Sequence, residues 1–320
     1  MSETPRNIID DKKILDAVAL ATRILSEAGQ TENEQEVAGH TENSPVTSGR
    51  RTNNKSSSPK KESVLWRVIL GVCVLVFSFC AVRVVLYAFT HNRTEKTEKQ
   101  LRTYVEYDTA SSGGTGRQAA DISHEEMPQI KVDFEKLKSI NEDIIGWIFI
   151  PGTDVNYPIL AGEDNSYYLS HDASGRYSPD GAIFVDVENS TAMTDFDTVI
   201  YGHNMSTGTM FKTLHNYEDS DFLDNYRGVY VYLPGRTLCY KVFAAYRTND
   251  RRVLATFDFD RKEDREKYLS SIFNENFETG IVKNDQRVDV EDKILTLSTC
   301  CGINGKRWIV QAVLWEENSN

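Results

Sequence analysis

A run of 22 residues from Val68 to Phe89, VILGVCVLVFSFCAVRVVLYAF, carries a single charge, Arg83. As a helix rising 1.5 Å per residue it reaches about 33 Å, against about 30 Å for the hydrocarbon core of a bilayer. A buried core helix of that length keeps a polar face, which this run lacks. A cleaved leader has a shorter apolar region close to the N-terminus, whereas this run follows more than 60 residues of polar chain. The sequence therefore predicts one transmembrane helix over 64–90. Arg83 lies about two turns from its far end, within reach of that interface by snorkelling. Cys73 and Cys80 read as small apolar packing residues.

Basic residues flank the run unevenly. Arg50, Arg51, Lys55, Lys60, Lys61 and Arg67 precede it, and Arg93, Lys96, Lys99 and Arg102 follow. This bias favours a cytoplasmic N-terminus, with the remainder of the chain outside the plasma membrane. Charge separates along the chain in the same way. Residues 1–120 hold 16 Lys+Arg and 14 Asp+Glu, so the net -12 of the whole chain arises beyond residue 120, where the balance is -14. An acidic outer part argues against nucleic acid as a partner, because such binding depends on Lys and Arg neutralising phosphates.

Three further segments follow from composition and period. Residues 1–63 form a cytoplasmic tail. It is largely disordered over the polar 30–63 stretch, with apolar residues at helical spacing in ILDAVALATRIL at 14–25. Residues 91–127 read as an extracellular linker, polar helix at first and then the flexible TASSGGTGRQAAD. Residues 128–317 form the one folded domain. After an opening helix at Asp133–Ile140, eight short runs alternate β-branched or aromatic residues with Gly, Pro and Asp boundaries. They are 144–150, 155–160, 181–187, 197–203, 229–234, 238–246, 293–300 and 307–315. Strands at this spacing predict a mainly β fold with short helices, closed or nearly closed as a barrel. Helical stretches interrupt them from Met210 towards Phe222 and over Arg261–Phe273.

Two strand ends carry reactive groups. DTVIYGHN delivers His203, and KILTLSTC delivers Cys300, with Arg307 opening the next strand after the turn GINGK. A thiolate is the reactive form of cysteine, and a neighbouring imidazolium or guanidinium favours it. An imidazole can serve as general acid and then general base, and an arginine can hydrogen-bond a carbonyl oxygen as it becomes negative. Taken singly, each residue also has a plain structural reading: a structural histidine, a packed cysteine, a solvated strand-edge arginine. The adjacent Cys300 and Cys301 lack metal-ligand spacing, and neither metal nor cofactor is expected. Cys239 reads as core, Cys301 as a small turn or buried residue, and His124, His171 and His215 as surface or structural.

Five segments in order resemble the sortases, the membrane-anchored cysteine transpeptidases of Gram-positive bacteria. TLSTC (296–300) resembles the family's TLxTC signature, YGHN (201–204) its histidine segment, and Arg307 stands where the family's arginine does. LKSINEDIIGWIFIPGTDVNYPIL (137–160) and DNSYYLSHDASGRYSPDGAIFVD (164–186), with the charged stretch near 261–273, are similar to class B in particular. The resemblance implies an eight-stranded sortase-type barrel with Cys300, His203 and Arg307 as the catalytic trio. It implies cleavage of a C-terminal sorting signal after Thr through a Cys300 thioester. The protein would then pass to an amine of the peptidoglycan cross-bridge or its lipid-linked precursor, with an NPxTN-like signal favoured over LPxTG. Ser298, the variable position of the signature, and Thr299 are the expected substrate-binding residues. A class B pilin polymerase using a pilin Lys, and a catalytically silent membrane-anchored binding domain, are the alternatives.

Overall fold

The computed structural model describes residues 62–107, 128–274, 277 and 279–319. The readings of 1–61 and of 108–127, the flexible linker and His124 among them, lie outside the described residues. Trp66–Asn320 form one compact unit, and of the preceding unit only Glu62–Leu65 are described, as helix.

One helix, Glu62–Arg102, runs for 41 residues. It is the one helix among the described residues that is long and apolar enough to cross a membrane. Val68–Phe89 is exposed on every side, so this run is not the buried core helix that equal hydrophobicity all round could also indicate. The helix does not stop at the end of the apolar run. His91 Nδ1 lies 2.6 Å from Asp180 Oδ2, Thr94 donates to Ser178 Oγ at 2.7 Å, and Arg102 Nε donates to the Asn156 carbonyl at 3.1 Å. Glu98 and Leu101 are buried in the same contact, and burial pushes the Glu98 carboxyl up to about 7 against the opposing pull of Arg102. Strand β1 (Val105–Tyr107) then pairs with β2 (Ile130–Val132). The start of the linker is thus polar helix to Arg102, as expected, but it packs on the domain and is followed by a strand.

The eight predicted runs appear as β3 (Ile144–Phe149), β4 (Asn156–Leu160), β5 (Phe184–Val185), β6 (Asp197–Tyr201), β7 (Gly228–Leu233), β8 (Arg236–Asn249), β10 (Ile294–Cys300) and β11 (Lys306–Ser319). They close in the order β8-β11-β10-β6-β5-β4-β3-β7, with β7 returning to β8. A further strand, β9 (Gly280–Val282), adds to β8 outside the ring. Closure through β8 and β11, the two 14-residue strands, removes the free edges an open sheet would expose.

Alternation along each strand divides the apolar residues between the barrel interior and outer layers. In β10, Leu295 and Leu297 join Ile148, Val231, Trp308 and Val310 inside. Ile294 faces outward, onto Tyr268, Leu269 and Ile272 of the charged helix Lys262–Asn274. Each such aliphatic side chain contributes about 1.5–3 kcal/mol by leaving water. A polar knot lies under this helix. Tyr268 donates to Asp197 Oδ2 at 2.7 Å, Thr296 donates to the same oxygen at 3.1 Å, and Gln311 donates to Tyr268 and Thr296.

Asp197 is fully buried, and desolvation pushes its carboxyl up to about 7 despite those two donors. The unfolded chain releases this proton near pH 4, so between about 4 and 7 the folded chain holds one proton more. The stability contributed by Asp197 is full below that window and is lost as pH rises through it. Asp197→Asn keeps an acceptor for Tyr268 and Thr296 and cannot ionise. Across pH 4 to 8 its Tm therefore rises steadily relative to wild type. A pH-independent difference between the two melting curves would contradict this assignment.

Candidate active site

The parallel pairing of β10 with β6 runs from Ile294↔Asp197 to Ser298↔Tyr201, each pair 97 positions apart. Two residues beyond the last pair, the same offset brings Cys300 level with His203. On the other side, antiparallel pairing sets Cys300 directly opposite Arg307. Strands β10 and β11 and the loop that leaves β6 therefore present cysteine, arginine and histidine side by side, and residues at the same level of a sheet point to the same face. That face is the outer one, which Ser298, Thr296 and Ile309 also share.

Cys300 is exposed, and Arg307 Nη1 donates to its Sγ at 3.2 Å. Among the described residues Arg307 makes no salt bridge, so its guanidinium is available to the thiol and to whatever the thiol attacks. The neighbouring Arg252 differs. It is engaged by Asp186 at 2.7 Å and by Glu188 at 2.8 Å. Burial opposes ionisation of Asp186, but the Arg252 pairing and backbone and Tyr201 hydrogen bonds outweigh it and hold this carboxyl below the usual range.

His203 is seated by backbone. Its Nε2 lies 2.8 Å from the Leu169 carbonyl oxygen, which can only accept, so Nε2 carries a proton and Nδ1 is the nitrogen left for proton transfer. Flanking glycines make the room. A Cβ on Gly181, where φ is +62°, would stand 2.7 Å from His203 Cδ2 and 2.6 Å from the Tyr168 carbonyl oxygen. One on Gly202 would meet Ile183 at 2.5 Å and Phe211 at 2.6 Å. The Gly202 amide donates to the Ser298 carbonyl at 3.2 Å and the Phe211 amide to the His203 carbonyl at 2.9 Å. The histidine loop is thereby fastened to the strand that carries the cysteine. Asp180, held by His91 of the long helix, immediately precedes Gly181, so the helix extension braces the seat of His203.

A cleft opens on this face, lined by Leu169, Tyr201, His203, Ser298, Arg307 and the β8 end at Thr248–Asn249. Ser298 lines it. Thr299 does not: it is fully buried and pairs with Trp308 on the interior side, because one residue along a strand reverses the face. Thr299, expected with Ser298 as a substrate-binding residue, thus does not line this cleft. Cys301 is half-buried against the interior cluster, and Cys239 is buried in β8 with its thiol pushed up to about 11 by burial. His171 stacks on Tyr167 at 4.0 Å. His215, which the sequence reads as surface or structural, comes to 3.1 Å from the Cys300 carbonyl oxygen. Its sequence context offers no sign of this, since its partner is a backbone atom 85 positions away.

Comparison with known proteins identifies the family. Residues 148–315 match the family model of the sortase domain. Sortase B of Listeria monocytogenes is 33% identical over 234 residues, covering 73% of this chain and 87% of the relative. The crystal structure of Clostridium perfringens sortase B superposes with a TM-score of 0.53 at 32% identity, over 57% of this chain and all of that one. A substrate complex of Staphylococcus aureus sortase B superposes with a TM-score of 0.52 at 32% identity, over 57% of this chain and 84% of that one. By fold, by the match across the barrel and by these relatives, the chain belongs to the sortase family of cysteine transpeptidases, in its class B.

Proposed function

We propose that this sortase is anchored by the single helix Val68–Phe89 in the plasma membrane of a Gram-positive bacterium, N-terminus in the cytoplasm and barrel outside. There it cleaves a C-terminal sorting signal after Thr and transfers the protein to a cell-wall amine. The observation that carries the reading is the row of Cys300, His203 and Arg307, made by the 97-residue parallel offset and the Cys300↔Arg307 pair. Cys300 Sγ, as thiolate, adds to the Thr carbonyl carbon. Arg307 donates to the oxygen as it takes the charge. His203 gives a proton to the departing amine, and the C–N bond breaks to leave a thioester and a free downstream peptide. The acceptor amine then attacks the thioester, His203 takes its proton, and Cys300 leaves as thiolate. Splitting the transfer into two steps replaces one difficult substitution by two easier ones. That the S. aureus relative was solved as a substrate complex supports substrate binding by this fold, and in this chain Ser298 would line the substrate's path along the cleft.

The test uses the full chain in detergent with NPxTN-type and LPxTG-type peptides, and with either a cross-bridge amine or a pilin domain as acceptor. The expected result is cleavage between Thr and the following residue, an amide to the cross-bridge amine, and hydroxylamine capture of the thioester. An amide to a pilin Lys alone identifies a polymerase instead. Tight peptide binding without cleavage identifies a silent binding barrel and ends the enzymatic reading.

A further inference from the structure

The carbonyl of Cys300 is held by side chains that the chemistry above does not use. In a parallel ladder, the rung after Gly202 N–H to Ser298 O runs from residue 204 to Cys300. Asn204 supplies that rung from its side chain, Nδ2 donating to the Cys300 carbonyl at 2.8 Å. His215, from the 3₁₀ turn Lys212–Glu218, brings Nε2 to 3.1 Å from the same oxygen and 3.2 Å from Asn204 Nδ2. Its Nδ1 donates to Glu218 Oε1 at 2.7 Å, three residues on, where side chains of a 3₁₀ turn eclipse. The ring lies on Trp308, 5.6 Å between centroids and 22° from parallel, and Trp308 Nε1 is tied to the Leu214 carbonyl at 2.9 Å.

Because a carboxylate only accepts, Nδ1 of His215 carries a proton in either charge state. With Nε2 bare, the ring accepts the second N–H of Asn204. With Nε2 protonated, it donates to the Cys300 oxygen directly. The cluster is therefore hydrogen-bonded in either arrangement of Nε2.

The need for such a hold follows from where the nucleophile sits. Cys300 is the last residue of β10, and Gly302–Gly305 of the loop that follows is exposed. The β6 strand has already ended, so ordinary ladder bonds on that side no longer fix the peptide group on which the thiol depends. We propose that Asn204, His215 and Glu218 are positioning residues that clamp the Cys300–Cys301 peptide plane, keeping Sγ level with His203 and against Arg307. Productive geometry tolerates only about 0.5 Å and 10–20° of error, so loosening this plane lowers turnover rather than peptide affinity. The inference rests on Cys300 being the nucleophile of the proposed reaction.

Full-length His215→Ala, His215→Gln and Glu218→Gln are compared with wild type in peptide cleavage, in Tm, and in the rate of iodoacetamide alkylation assigned to Cys300 by mass spectrometry. His215→Ala is expected to lower kcat about tenfold with KM within twofold, and to slow Cys300 alkylation at least threefold as Sγ leaves Arg307. His215→Gln, which offers an N–H at the place of Nε2, restores most of both rates, and Glu218→Gln falls between. His215→Ala within twofold of wild type in both rates overturns the proposal. So does a loss that tracks Tm and is not rescued by glutamine. Where wild type itself cleaves no peptide, the transpeptidase reading fails and the alkylation series alone decides the clamp.

Discussion

Cys300→Ala is expected to lower sorting-peptide cleavage by about 10⁴-fold or more, the scale seen when a covalent nucleophile is deleted from a working catalytic group. No hydroxylamine-trapped product should form, because without Sγ there is no thioester to intercept. The informative control is the adjacent thiol. Cys301→Ala should retain cleavage within a few-fold, since its side chain packs against the interior cluster while that of Cys300 is exposed and bonded to Arg307 at 3.2 Å. Steady-state cleavage and mass spectrometry of the acyl-enzyme check both variants. Retained cleavage in Cys300→Ala, or loss confined to Cys301→Ala, would assign the chemistry to the wrong sulfur. Either result would also move the reaction to the opposite face of the sheet, away from His203 and the cleft.

The eight barrel strands are readable in the sequence because each is a short period-2 run between Gly, Pro or Asp boundaries, with nothing helical about its spacing. Their closure is less readable. Strand order depends on which β-branched faces meet across the interior, and β9, three residues long and half-exposed, gives too short a pattern to notice. The row of Cys300, His203 and Arg307 is legible as a set of residue types at strand ends. What makes it a site is the register, a property of the β6–β10 pair that neither strand carries alone.

Two features were not legible, for related reasons. The stretch after Phe89 reads as a polar helix leading into a linker, with nothing to mark a docked face, because Thr94, Thr97 and Glu98 are polar, yet all three are buried against the domain. Their partners, among them Ser178 and Arg176, are more than seventy residues away and equally polar, so no hydrophobic period marks the contact. His215 is silent in the same way, since a histidine that serves a carbonyl leaves no complementary side chain to look for. Ser298 and Thr299 show the converse. Neighbours in the motif, they belong to opposite faces, and alternation alone is enough to assign one to the cleft and the other to the interior.

Arg307 is the second position at which a large loss is expected, and it separates charge from geometry. Arg307→Ala should reduce kcat/KM by about 100- to 1,000-fold, or about 2.7–4 kcal/mol, the usual cost of removing one donor to a developing oxyanion. The loss should fall mainly on kcat, because the donor binds the tetrahedral oxygen more strongly than the ground-state carbonyl. Arg307→Lys keeps the charge but should recover little. Lysine offers a compact ammonium on a flexible stem, whereas the guanidinium presents a rigid fork, one branch of which already reaches Sγ at 3.2 Å. That fork can bond sulfur and the substrate oxygen together, and one ammonium cannot hold both directions without giving up its position. Lys306, exposed beside it at the start of β11, supplies the control: Lys306→Ala removes a nearby charge yet should leave kcat/KM within twofold. If Arg307→Lys retained full activity, or Lys306→Ala matched the loss at Arg307, a diffuse positive field would suffice and the directed hydrogen bond would not be what the reaction requires.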